Sequence, residues 1–175
     1  MQAPNSVHSF TLSRAQKSAR SRSLTEEVLY DIPESPTSAR QAFDILTTVS
    51  ERLRRRGDPR AVFPDIYAVV TRRVRDSIHG PARPLFEEPQ FISRLAGRFC
   101  ELYLAALRRS LEGRAEHIEA WAEADRATRS GEALPIQHAV LGLNAHINFD
   151  LALGLFANVL SHAAQERGAD LDRDD

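Results

Sequence analysis

The fold turns on residues 141–155, LGLNAHINFDLALGL. Their apolar density is that of a core element, yet Asn144, His146, Asn148 and Asp150 fall within seven positions. The run belongs to a longer apolar stretch that Pro135 opens and that continues to about Gly168. Proline suits a first helical turn, where its missing N–H would be unpaired anyway. One long helix is expected. At about 100° per residue, with His138 as origin, His146 falls near 80° and Asp150 near 120°. Asn144 and Asn148 fall near 240° and 280° on the same scale, almost opposite. Apolar residues fill the gaps, with Leu141, Phe149 and Phe156 on one side and Leu143 and Ile147 on the other. An apolar surface all round predicts a buried, central helix. The length would also suit a membrane span, but four polar residues near the middle would each be costly in hydrocarbon. No membrane is expected.

Working outward, helical periods fill the chain from about residue 36. Ser35-Pro36 offers an N-cap and a first-turn proline. Ala39, Ala42, Phe43, Leu46, Val49 and Leu53 follow at spacings of three and four until Gly57. A second helix is expected from about Pro64, with Ile66, Val69, Val70, Val74 and Ile78 inward, ending at Gly80-Pro81. A third starts near Pro89 and carries Phe91, Leu95, Phe99, Leu102, Ala106 and Leu107 to Gly113. A fourth covers roughly 114–130, with Trp121 inward, and Gly131 closes it. No run alternates apolar and polar residues between turn signals, so no strand is expected. The fold class is all-α: a single-domain bundle of about five helices with a long, buried C-terminal helix. The helical domain spans 36–170. Residues 1–35, rich in Ser and basic until Glu26, read as a flexible tail, and 171–175 as an acidic end.

Bulk properties narrow the function. The net charge is −1, and the arginine runs Arg52/Arg54/Arg55/Arg56 and Arg72/Arg73/Arg75 have no interleaved aromatic platforms. Nucleic acid is therefore not an expected partner. Such runs suit solvated helix ends, where cations also meet the helix dipole. The single cysteine, Cys100, excludes an internal disulfide and fits a reducing, cytoplasmic setting. Beside Phe99 it reads as a buried, inert thiol. No nucleophile elbow or phosphate loop occurs, and no cofactor is implied.

Chemistry, if present, centres on His146 and Asp150. A buried polar group without a partner costs on the order of 1–3 kcal/mol, so each must be satisfied. At i, i+4 the carboxylate can hold one imidazole nitrogen and leave the other as an acid or base. The same spacing lets two side chains share a metal ion, with His117 or Glu101 as further ligands. It also serves a purely structural tie between helices. Asn144 and Asn148 bridge to adjacent helices or meet a substrate, and His138 and Trp121 wall a pocket. Three functions follow: a small-molecule enzyme of tailoring or cyclising type, a non-catalytic ligand-binding or protein-interaction module with a polar core, and a metalloprotein. A homodimer stays open in each.

The motif also resembles that of a known family. Gln137, His138, Gly142, Asn144, Ala145, His146, Ile147, Asn148, Asp150 and Leu151 are similar, position by position, to the signature of domain of unknown function 5995, an all-helical bacterial family. FPDIYAVVTRRV, RFCELYLAAL and Trp121 resemble its upstream helices, so the likeness covers about 60–175. The chain departs from the pattern at Cys100 and Glu101, where a small residue and Asn are expected, and at AEAD after Trp121, where an aromatic is expected. The family pattern also leads one to expect further chain beyond Asp175. The resemblance implies the helical fold and the motif, and it assigns no reaction.

Overall fold

In a computed structural model of the chain, residues 24–79, 85–114 and 119–171 are described. Helix α1 covers 24–29. It is followed by α2 (Ala39–Arg55), a 3₁₀ turn (Pro59–Ala61), α3 (Val62–His79), α4 (Pro89–Leu111), α5 (Glu119–Ser130), α6 (Pro135–Ala145), a π turn (His146–Asp150) and α7 (Leu151–Leu171). There is no strand among the described residues.

The helix boundaries follow local chemistry. Ser38, extended at φ −150°, accepts from the Gln41 amide at 3.2 Å and caps α2. The cap thus lies three residues after the expected Ser35. Gly57, Gly113 and Gly131 take φ of +65°, +72° and +69°, the left-handed conformation that stops a helix and that side chains disfavour. Arg52, Arg54 and Arg55 occupy the last turn of α2 as a solvated helix end, and Arg52 pairs with Asp31.

Helix α2 packs on α3 and α4, α6 packs on α3 and α5, and α7 lies on α4. Val28, Leu46, Val49, Leu53 and Cys100 are wholly buried at the centre. Two expectations about the first half change. Residues 24–35 are not a tail, since Val28 and Leu29 enter the core and Arg52 donates to the carbonyls of Val28 and Tyr30 at 3.2 and 2.6 Å. Leu24, Val28 and Ile32 keep a four-residue period that the Ser-rich composition upstream obscured. Residues 1–23 and 172–175 lie outside the described residues. In α3 the inward face is Phe63, Tyr67, Ala68 and Thr71, whereas Ile66, Val69 and Val70 are exposed. The aliphatic period was the wrong stripe, because two aromatic rings bury more surface than the β-branched residues beside them.

The last helix is long, as expected, but it is not buried all round. His138, Gly142, His146, Asp150, Gly154 and Asn158 form one buried stripe, while Val140, Leu143, Ile147, Phe156 and Leu160 face solvent. Among the described residues α3, α4 and α5 cover one side only, and apolar composition does not by itself bring a cover for the other. The stripe also explains the π turn. Its residues stand four apart, and each such step advances about 40° around an α-helix. Over five steps the stripe would wind to the far side of the rod. One turn holding an extra residue rotates it back by about 100°, so Gly154 and Asn158 still reach α4. Asn158 Nδ2 then donates to the Phe91 carbonyl at 3.2 Å. Among the described residues one apolar helix, Pro135–Ala164, is long enough to cross a membrane, and 28% of its most apolar stretch is buried.

Candidate functional site

His146 sits in the π turn, 2% exposed. Its Nδ1 lies 2.9 Å from Asp150 Oδ2. Trp121, brought in by α5, donates its indole N–H to the same carboxylate, at 3.1 Å to Oδ2 and 3.3 Å to Oδ1. An indole N–H only donates, and a carboxylate only accepts; with Asp150 as the carboxylate, Nδ1 carries the imidazole proton and Nε2 is left as an acceptor.

Aromatic rings enclose the imidazole. Phe99 stacks on it at 3.4 Å and 6°, Tyr67 meets it edge-on at 4.3 Å, and Phe63 at 5.3 Å. These rings come as two i, i+4 pairs, Phe63/Tyr67 on α3 and Phe99/Tyr103 on α4. That spacing is readable in the sequence, although of these four rings helical periodicity points only Phe99 inward. Gly142, one turn before His146, permits the approach of Phe63: a Cβ there would lie 2.6 Å from the ring.

Burial drives the electrostatics of this cage. It pulls the His146 pKa below 6.5, against the opposing pull of Asp150, so the ring is neutral. Burial likewise raises the Tyr67 and Tyr103 hydroxyls above their ordinary range. Among the described residues His146 Nε2 and both phenolic oxygens are buried and meet no hydrogen-bond partner. Cys100 is pushed up to about 12, chiefly by burial, and is the inert thiol expected.

The other candidate residues fall elsewhere. His138 is buried beside a cavity of about 50 Å³, which Phe63, Tyr103, Trp121, Gly142 and Asp125 also line. Ser110 Oγ donates to Asp125 at 2.6 Å on the polar wall. Trp121 and His138 therefore do wall a cavity next to the last helix. It has room for only a few waters, well short of the ~300 Å³ of the smallest usual ligand pockets. Neither His146 nor Asp150 lines it. Asn144 and Asn148 are exposed, and Asn148 Nδ2 donates to Asn144 Oδ1 at 2.7 Å. Among the described residues they bridge to no adjacent helix, contrary to expectation, because none packs on their face of the helix. Among the described residues no three His, Cys, Asp or Glu converge as metal ligands. Glu101 instead pairs with Arg98 at the surface, and His117 lies outside the described residues.

No curated protein and no solved structure is detectably similar to the chain. A family model does match, over residues 39–174, which carry every helix from α2 onward and the whole of the His146 cage. The chain belongs to the Family of unknown function (DUF5995).

Proposed function

We propose that this chain is a non-catalytic helical interaction module that docks a protein partner on the outer face of α6 and α7. One observation carries the reading. Ile136, Val140, Leu143, Ile147, Phe149, Leu153, Leu155, Phe156, Val159 and Leu160 are each 41–67% exposed on one helix. Isolated exposed apolar residues are ordinary, but a continuous band of them marks a binding surface. The cage around His146 has a structural part here: Trp121, Asp150 and His146 hold the π turn, and the π turn keeps the outer face continuous. A cytoplasmic setting accords with the free, buried Cys100. The test is a photo-cross-linking residue at Val140 or Phe156 in the cells that make the protein. Adducts with a protein are expected. Labelling that yields no protein adduct from either position would overturn the reading.

A second reading, a small-molecule enzyme using His146 with Asp150, is favoured by the unpartnered acceptor at Nε2. An imidazole held through Nδ1 by a carboxylate, with Nε2 free, is the arrangement of a general base. It requires the aromatic cage to open to a substrate. Acylation of histidines by diethyl pyrocarbonate in the native protein, mapped by mass spectrometry, tests this. Modification of His146 at a rate near that of half-buried His162 supports the reading, and modification only on unfolding sinks it.

A further inference from the structure

We infer that the occupant of the outer face is a second copy of this chain, seated across a two-fold axis near Asn148 with the two long helices antiparallel. This rests on the interaction reading above and names the partner.

Three observations lead to it. The first is charge. Between Glu132 and Glu166 the only acid is Asp150, which is buried, and there is no lysine or arginine at all. A helix that lies on a lipid surface sets Lys and Arg beside its apolar face, and none is present here. A charged partner likewise finds nothing to complement. An uncharged face meets its own copy without electrostatic cost.

The second is symmetry. In an isologous pair the same patch serves both copies, so it must be complementary to itself. Ile136 and Leu160, Val140 and Phe156, and Leu143 and Leu153 stand at equal separations on either side of Asn148. An antiparallel pair centred there sets these apolar side chains level with one another, and Val159 level with Gln137. It also brings the Asn144–Asn148 amide pair of one copy beside that of the other. Asn148 spends one N–H on Asn144, which leaves its second N–H and its carbonyl oxygen for the facing copy. Isolated polar residues in an apolar helical seam fix register in this way.

The third is area. At about 100 Å² for each half-exposed large side chain, the ten residues offer roughly 1,000 Å², against the ~800 Å² each partner contributes to a stable complex.

The experiment uses the purified full chain under reducing conditions. Sedimentation equilibrium is expected to show a dimer, and Ile147→Glu to weaken it at least ~30-fold, the effect of losing a central interface contact, with an unchanged far-ultraviolet circular dichroism spectrum. Asn148→Cys should form a disulfide-linked dimer on oxidation. Leu160→Cys should not, since an antiparallel pair holds its two copies far apart. The native thiol, Cys100, is wholly buried and adds no background. A monomer at ~100 µM, a dimer indifferent to Ile147→Glu, or equal cross-linking through Leu160→Cys would each overturn the proposal. Photo-adducts with a different protein would overturn it as well while leaving the interaction reading intact.

Discussion

Trp121 donates its indole N–H to Asp150 across 29 positions of sequence, and through that carboxylate it fixes His146. The contact ties α5 to the π turn of the last helix. Trp121→Phe keeps most of the ring volume and removes the donor. The buried carboxylate then loses one of its two partners, at a cost of about 1–3 kcal/mol. Urea denaturation should show that loss with an unchanged m-value, and a change below about 0.5 kcal/mol would show that the indole N–H contributes nothing to stability.

His146 also makes stability depend on pH. Its folded pKa lies below 6.5 because burial disfavours the charged ring. The unfolded chain therefore binds a proton before the folded one does. The contribution is fully present above about pH 6.5 and is lost as pH falls toward the folded value, with a limiting slope of about 1.4 kcal/mol per pH unit. His146→Gln removes this dependence. Denaturation midpoints from pH 7.5 to 5 should fall more steeply for the native chain than for the variant, and parallel curves would show that the ring titrates freely.

The parts of this arrangement that were legible in sequence are those that depend on one helix alone. The adjacency of His146 and Asp150, and the opposite placement of Asn144 and Asn148, follow from the angle per residue and hold in the structure. Whether each side is covered depends on neighbours in other parts of the chain, which helical periodicity does not encode. Hence the last helix read as buried all round, although Ile147 is 45% exposed. The inward stripe of α3 was misplaced for a related reason. Its register is set by Gly142, where a hydrogen replaces a side chain and lets Phe63 come close, a complementarity between helices about 80 positions apart. The π turn left a trace in the strict four-residue spacing from His138 to Asn158, a period that an unbroken α-helix cannot keep on one face.

Gly142→Ala tests that close approach. The added methyl would stand 2.6–2.9 Å from three atoms of Phe63, a ring that is itself buried. Either the ring or α6 must shift, and overpacking of this kind costs about 1–3 kcal/mol. Alanine is otherwise the better helix former by about 1 kcal/mol, so a net loss shows that the packing cost exceeds that gain. Thermal denaturation should show a lower midpoint, and near-ultraviolet circular dichroism a changed Trp121 environment. A midpoint equal to or above that of the native chain would mean that the interface has slack.

The two phenols give the sharpest measure of what the cage is for. Tyr67 and Tyr103 each bury a hydroxyl with no hydrogen-bond partner, and a hydroxyl in that state costs on the order of 1–3 kcal/mol. If stability alone had shaped the site, phenylalanine would serve better at both positions. Tyr67→Phe and Tyr103→Phe should therefore leave stability unchanged or raise it by up to about 1 kcal/mol, measured by urea denaturation. The rest of the cage sharpens the contrast, because removing a ring altogether, as in Phe99→Ala, empties the stacked face of His146 and should cost about 3–5 kcal/mol. A gain on removing the hydroxyls, beside a large loss on removing the ring, separates the roles: the rings hold the fold, and the hydroxyls are kept for something other than stability. A loss of 1 kcal/mol or more in either Tyr→Phe variant would instead show that the hydroxyl is bonded in solution and belongs to the packing.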